Sequence, residues 1–191
     1  PQKFTLVSLV FAIPLGLMMY LWLAEIGDRL AFADKERAGL VYVVALRRLL
    51  EPLALGSPEV AEAEHGVDVV DARLGPELQA TEAWRELRRK LADPSAGESA
   101  PIADTVQLIA HVGDTSNLIL DPDLDSYYLM DATVTLLPVL VEHLSVIEES
   151  ASSAPSAAGH AKLLAALVLV RAVRDAVARG HTVAFGANPR L

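Results

Sequence analysis

The sequence predicts an all-α protein: an N-terminal transmembrane helix continuing into an antiparallel, four-helix-bundle-like array. Three observations carry that reading. Phe4 to Leu23 is a run of twenty residues without a charge. Beyond it, apolar residues recur at spacings of three and four, the period of a helix face. Aromatics are few, Ala, Leu and Val are abundant, and no alternating strand pattern competes.

The elements follow in order. At about 1.5 Å per residue, a helix over the uncharged run reaches roughly 30 Å, the hydrocarbon thickness of a bilayer. A cleaved signal peptide would have a shorter apolar core, of about 7–15 residues, and a small-x-small cleavage site. Leu23-Ala24-Glu25-Ile26 offers none, so residues 1–24 are expected to be an uncleaved signal anchor. Pro14 and Gly16 are tolerated in membrane helices, and Tyr20 and Trp22 suit the headgroup level. Lys3 precedes the run while Glu25 and Asp28 follow it, which by the positive-inside rule leaves residues after about 25 outside the cytoplasm.

The first helix is expected to continue through Leu30, Leu40, Val44 and Leu50 to a stop near Gly56. Ser57-Pro58 starts a second helix, which Gly75-Pro76 ends. A third spans about Thr81 to Asp93, with Trp84, Leu87 and Leu91 on one face. Asp93-Pro94-Ser95-Ala96-Gly97 reads as a loop. Pro101 opens a fourth helix through Ile119. A fifth begins at Asp121-Pro122 and runs to about Glu149, with a kink expected at Pro138. Ser150 to Gly159 is a loop, and a sixth helix covers about His160 to Ala184. Its densest apolar stretch, Leu163 to Val170, is too short to cross a bilayer, so one span is expected. Residues 25–191 then form a single extracytoplasmic helical domain, truncated at its C-terminus.

Composition narrows the partners. The chain has 16 Lys plus Arg against 25 Asp plus Glu, and setting Lys3 aside with the anchor leaves a net of −10 on the rest. Such a domain does not suit nucleic acid or anionic lipid. Cysteine is absent, which removes disulfides and thiolate metal sites.

The densest motif is Asp114-Thr-Ser-Asn-Leu-Ile-Leu-Asp-Pro-Asp-Leu-Asp-Ser-Tyr-Tyr-Leu-Met-Asp131. Asp121, Asp123 and Asp125 alternate like the start of a calcium loop, but Ser126 stands where such a loop needs Gly and Ala132 where it needs a bidentate Glu. Helix capping explains the acids better, with Asp121 at the cap and Pro122 in the first position. Asn117, Tyr127 and Tyr128 need other partners, either backbone carbonyls or a ligand.

The second motif is Lys35-Glu36-Arg37-Ala38-Gly39-Leu40-Val41-Tyr42. A glycine within a helix costs about 1 kcal/mol relative to Ala, a cost that close approach of a neighbouring helix or a ligand would explain. Arg37 beside it suits a carboxylate, from the Asp121 cluster or from a ligand. Enzyme signals are poor. Glu62-x-x-His65 has one half of a di-iron spacing and no second copy, and no phosphate loop, zinc signature or nucleophile elbow is present. No cofactor, metal or catalytic residue is assigned.

Together, Lys35-Glu36-Arg37-x-Gly39-x-x-Tyr42 and the later Thr115 to Asp131 motif, followed by Leu137-Pro138, resemble the extracytoplasmic helical sensor region of bacterial transmembrane receptors. These receptors include sensor histidine kinases, methyl-accepting chemotaxis proteins and diguanylate cyclases. The resemblance covers roughly residues 31–144. Trp84 fits it, whereas Pro52-Leu-Ala-Leu stands where relatives carry a His-Arg pair. The resemblance implies a periplasmic bundle on the bacterial inner membrane, bracketed by two membrane helices. A cytoplasmic output domain, such as a histidine kinase or diguanylate cyclase, would follow beyond Leu191. The expectation is a homodimer whose candidate ligand-binding residues are Arg37, Tyr42, Asn117, Asp121, Tyr127 and Tyr128. A small-molecule or protein stimulus there would be passed through the first helix. The alternative is a membrane-tethered structural or protein-interaction bundle without a small-molecule ligand.

Overall fold

A computed structural model describes residues 2–93, 99–120, 123–152, 154 and 156–190. All regular structure among them is helical: α1 (Gln2–Ala54), α2 (Val60–Leu74), α3 (Thr81–Leu91), α4 (Ser99–Thr115), α5 (Leu124–Met130), α6 (Leu137–Ser152) and α7 (Ala157–Ala187). The expected all-α class is observed. The chain divides into two compact units, Pro1–Glu36 and Arg37–Leu191.

The first unit is helix. From Val10 to Leu23 every side chain is exposed, Phe11 and Trp22 among them. A run of exposed apolar side chains this long is unfavourable in water and matched to lipid. α1 is thus long and apolar enough to span a membrane.

The second unit is built around the inward stripe of the rest of α1. Tyr42, Leu46 and Leu49 are fully buried, and Val43 and Leu50 nearly so. They meet Val67 of α2, Trp84 and Leu87 of α3, and Ile109 and Val112 of α4 in one core. Gly56, at φ +58°, ends the turn after α1 in the left-handed conformation that glycine adopts without strain. α2 starts at Val60 rather than at the expected Ser57. Val60 N–H bonds Ser57 O at 3.4 Å, so the first turn closes at i to i+3 and regular α-geometry follows it.

Neighbouring elements run antiparallel, and long-range contacts show it. Asp71 meets Thr81 and Asp68 meets Arg88 across α2 and α3. Lys90 meets Asp104, and His111 Nε2 lies 2.9 Å from Gln79 O, across α3 and α4. α4 ends at Thr115, four residues before the expected Ile119. Ser116 Oγ donates to Val112 O at 2.6 Å, and Asn117 then turns left-handed at φ 65°. A single 3₁₀ turn, Leu118–Leu120, follows.

α5 and α6 are one rod joined by a π-helical turn, Asp131–Leu136. That turn lies immediately ahead of Pro138, whose ring has no N–H and would crowd the carbonyl of Val134. Widening the preceding turn accommodates it. By length and composition the Leu124–Ser152 rod would also cross a bilayer, which the single expected span did not anticipate. Here it serves as a bundle helix, with Ala132, Val134 and Pro138 buried and most of α6 half-buried. α7 returns along it: Asn188 Nδ2 donates to Asp125 Oδ2 at 2.8 Å, and Gly180 lies against the Tyr128 ring. Ser156 caps α7, accepting from Gly159 N–H at 3.0 Å.

Gly39 is buried where α1 crosses the end of α4. A Cβ added there would collide with Ser116 Oγ and Cβ, so the glycine is kept for close helix approach. Overpacking costs about 1–3 kcal/mol, partly offset by the roughly 1 kcal/mol helix preference of alanine. Gly39→Ala should therefore lower the urea midpoint of the detergent-solubilised chain. Adding Ser116→Gly to the same chain should recover much of that loss.

Candidate functional site

The expected corner divides into three places. Tyr42 turns inward, and its hydroxyl donates to Asp71 Oδ1 at 2.8 Å. Thr81 Oγ1 donates to the same oxygen at 3.2 Å, and Asp71 is only 8% exposed. A carboxylate buried this far needs such donors, and here each comes from a different helix. Gly75 leaves the space they occupy, since a Cβ there would strike both Asp71 and Thr81.

One turn along α2, Asp68 Oδ1 accepts from Trp84 Nε1 at 2.9 Å and from Arg88 at 3.0 Å. Tyr42, Asp71, Thr81, Asp68, Trp84 and Arg88 thus form a polar seam joining α1, α2 and α3. Burial, then the hydrogen bond and charge of Asp71, push the Tyr42 phenol well above its ordinary range. It stays protonated and remains the donor. Tyr42 lies outside the apolar span of residues 4–23.

The second place is the end of α4. Asn117 is half-buried, and its positive φ makes it the residue that ends the helix; Asn tolerates that conformation better than most. Gly39 abuts Ser116 and Leu118 on either side of it, so the structure brings the Gly39 notch and the Asn117 turn together. Arg37 is exposed nearby in sequence and has no ion pair among the described residues. Asp121, its expected carboxylate partner and the expected cap, lies outside the described residues, as does Pro122.

The third place is α5 against α7. The Tyr127 and Tyr128 rings stack edge to face with centroids 5.3 Å apart. Tyr128 packs on Gly180 and Tyr127 faces outward. Asp125 is tied to Asn188 and also accepts from Ser126 N–H at 2.9 Å.

Sequence reasoning missed Asp71, Asp68, Thr81 and Arg88. The available signal was Asp71 itself, an acid on the apolar stripe of Val67, Val70 and Leu74. Among the described residues no buried side-chain nitrogen or oxygen lacks a hydrogen-bond partner, and no group of three His, Asp or Glu could hold a metal ion.

Tyr42→Phe strips Asp71 of its best donor and should cost about 1–3 kcal/mol in denaturant unfolding. The pH dependence has a definite sign. A phenol whose folded value is raised contributes fully below the unfolded value near pH 10 and loses its contribution as pH rises beyond it. Wild-type stability should therefore fall above about pH 10, and the slope should flatten in Tyr42→Phe. No protein-family model, curated protein or solved structure matches this chain, and its function is read from its own residues and geometry.

Proposed function

We propose that the chain is the extracytoplasmic sensing part of a bacterial inner-membrane signalling receptor. It acts as a homodimer and passes a stimulus through α1 to a cytoplasmic output domain encoded beyond Leu191. The observation that carries this reading is α1, a single helix from Gln2 to Ala54. Its residues 10–23 are exposed and apolar, and its residues 42–50 supply the inner stripe of the core. On this reading a displacement of that stripe is passed along α1 toward the membrane. Transmission of this kind requires two packings close in energy.

A second reading is favoured by the polar seam. Tyr42, Asp71, Thr81, Asp68 and Trp84 are satisfied by one another, as a bundle without a small-molecule ligand would have them. The stimulus would then be another protein or the membrane itself.

Two outcomes are expected. Reporter fusions after Gly56 and after Ser152 should be active outside the cytoplasm, and the frame beyond Leu191 should encode a second apolar span and an output module. Reporters active inside, or a stop codon close by, would overturn the receptor reading. Asn117→Gly keeps the left-handed turn and removes the amide, while Arg37→Ala removes an exposed charge. If either abolishes signalling at unchanged stability, the side chain contacts a stimulus; if both leave signalling intact, the ligand-free bundle stands.

A further inference from the structure

Asp125, one of the three alternating acids of the dense motif, is occupied at both oxygens. Oδ1 accepts from Ser126 N–H at 2.9 Å within α5, and Oδ2 accepts from Asn188 Nδ2 at 2.8 Å. Asn188 stands 63 residues further along the chain and is the residue at which α7 ends. Its N–H still bonds Ala184 O at 2.9 Å, while its backbone has turned to the extended region at φ −136°. The Asn188 amide is used at both ends. Its nitrogen goes to Asp125, and its oxygen accepts from Arg190 N–H at 3.1 Å, just past the helix. One side chain therefore joins the first turn of α5, the last turn of α7 and the residues that leave it.

The start of α5 is in turn connected to α1. Leu118 of the 3₁₀ turn comes against Gly39, where an added Cβ would lie 3.2 Å from its methyl. That same turn packs on α5. At the other end of the connection, Gly180 receives the Tyr128 ring about two turns before α7 ends, so the last turns of α7 sit directly on α5. A continuous series of contacts thus runs from the inner side of α1, through the turn after α4 and the start of α5, to the exit of α7.

We propose that the Asp125–Asn188 clasp is a regulatory catch, through which a change where Gly39 meets Ser116 is passed to the exit of α7 and to the chain beyond it. The inference rests on the receptor reading and adds a second outgoing route to the one through α1. While the clasp is closed, Asn188 holds the residues after α7 in one direction. When the start of α5 shifts, the Asn188 amide loses its acceptor and the exit is released. The groups suit such a role. Both side chains are half-buried, so their charge-assisted bond is open to exchange with water and can break without unfolding the bundle. The deeply buried Tyr42–Asp71 bond has no such replacement and serves to hold rather than to release.

Asn188→Asp keeps an acceptor for Arg190 N–H but sets two carboxylates face to face, which opens the clasp. Asp125→Asn combined with Asn188→Asp re-forms it with donor and acceptor exchanged. In the detergent-solubilised full chain, Asn188→Asp should speed amide hydrogen exchange at residues 184–188 several-fold and leave the core of α1 to α4 protected. In cells it should shift the basal output, and the double exchange should restore both the protection and the output. Unchanged hydrogen exchange in Asn188→Asp, or faster exchange with unaltered output, overturns the catch. So does a double exchange that restores neither. These results leave the receptor reading standing, because the reporters and the frame beyond Leu191 test it separately. A frame without an output module removes the reading and the catch together.

Discussion

The buried Asp71 carboxylate is the constraint around which the second unit is organised. A carboxylate removed from water is tolerated only where donors replace its hydration. Here they are the Tyr42 hydroxyl from α1 and the Thr81 hydroxyl from the start of α3. Because Asp71 itself belongs to α2, the pair of bonds fixes three helices against one another. Hydrophobic contacts alone would leave their register free to slide by a turn. The neighbouring acid, Asp68, repeats the device with Trp84 and Arg88 and so sets the rotation of α3. Apolar burial supplies most of the driving force; the seam selects which packing it produces.

From that seam the rest follows by close approach. Gly39 lets α1 reach the end of α4, where Ser116 and Asn117 turn the chain. α4 in turn presents Gly113 to Val134 in the π turn, where a Cβ would sit 3.0 Å from the valine methyl. The rod then carries Tyr128 to Gly180 on α7. At three helix contacts, therefore, a glycine on one element receives a side chain from its neighbour. This spacing is tighter than Leu-on-Leu packing and leaves little room for independent movement.

How much of this was legible depends on whether the cause was local. The span of residues 4–23 and the stop at Gly56 were readable, because composition and a single left-handed glycine decide them. The crowding at Gly39 was readable as a cost needing a reason, although the partner, Ser116, was not. Asn117 was singled out for its amide, whereas the described structure uses its backbone. Left-handed conformation is set by where the chain must turn, which no residue pattern states alone. Tyr42 was grouped with the Asp121 motif through the resemblance that joins the two stretches. Its partner lies instead on α2, 29 residues away, and such long-range pairing leaves no periodic trace. The π turn was legible only as a disturbance at Pro138; how the helix absorbs it depends on the packing of Val134 and Ala132.

The two faces of α1 differ in what they permit. Inside, Tyr42 is held by Asp71 and Gly39 is wedged against Ser116, so that axial sliding would break a buried hydrogen bond and open a contact at once. Outside, Val41, Val44 and Leu55 are exposed, and no hydrogen bond among the described residues ties their side chains to another helix. Under the receptor reading, an input acting on the outer face can therefore bias α1 at lower cost than one that must first undo the seam. On that reading the responsive surface would be the exposed side of the helix, and the polar interior would keep the bundle in one register while that surface changes.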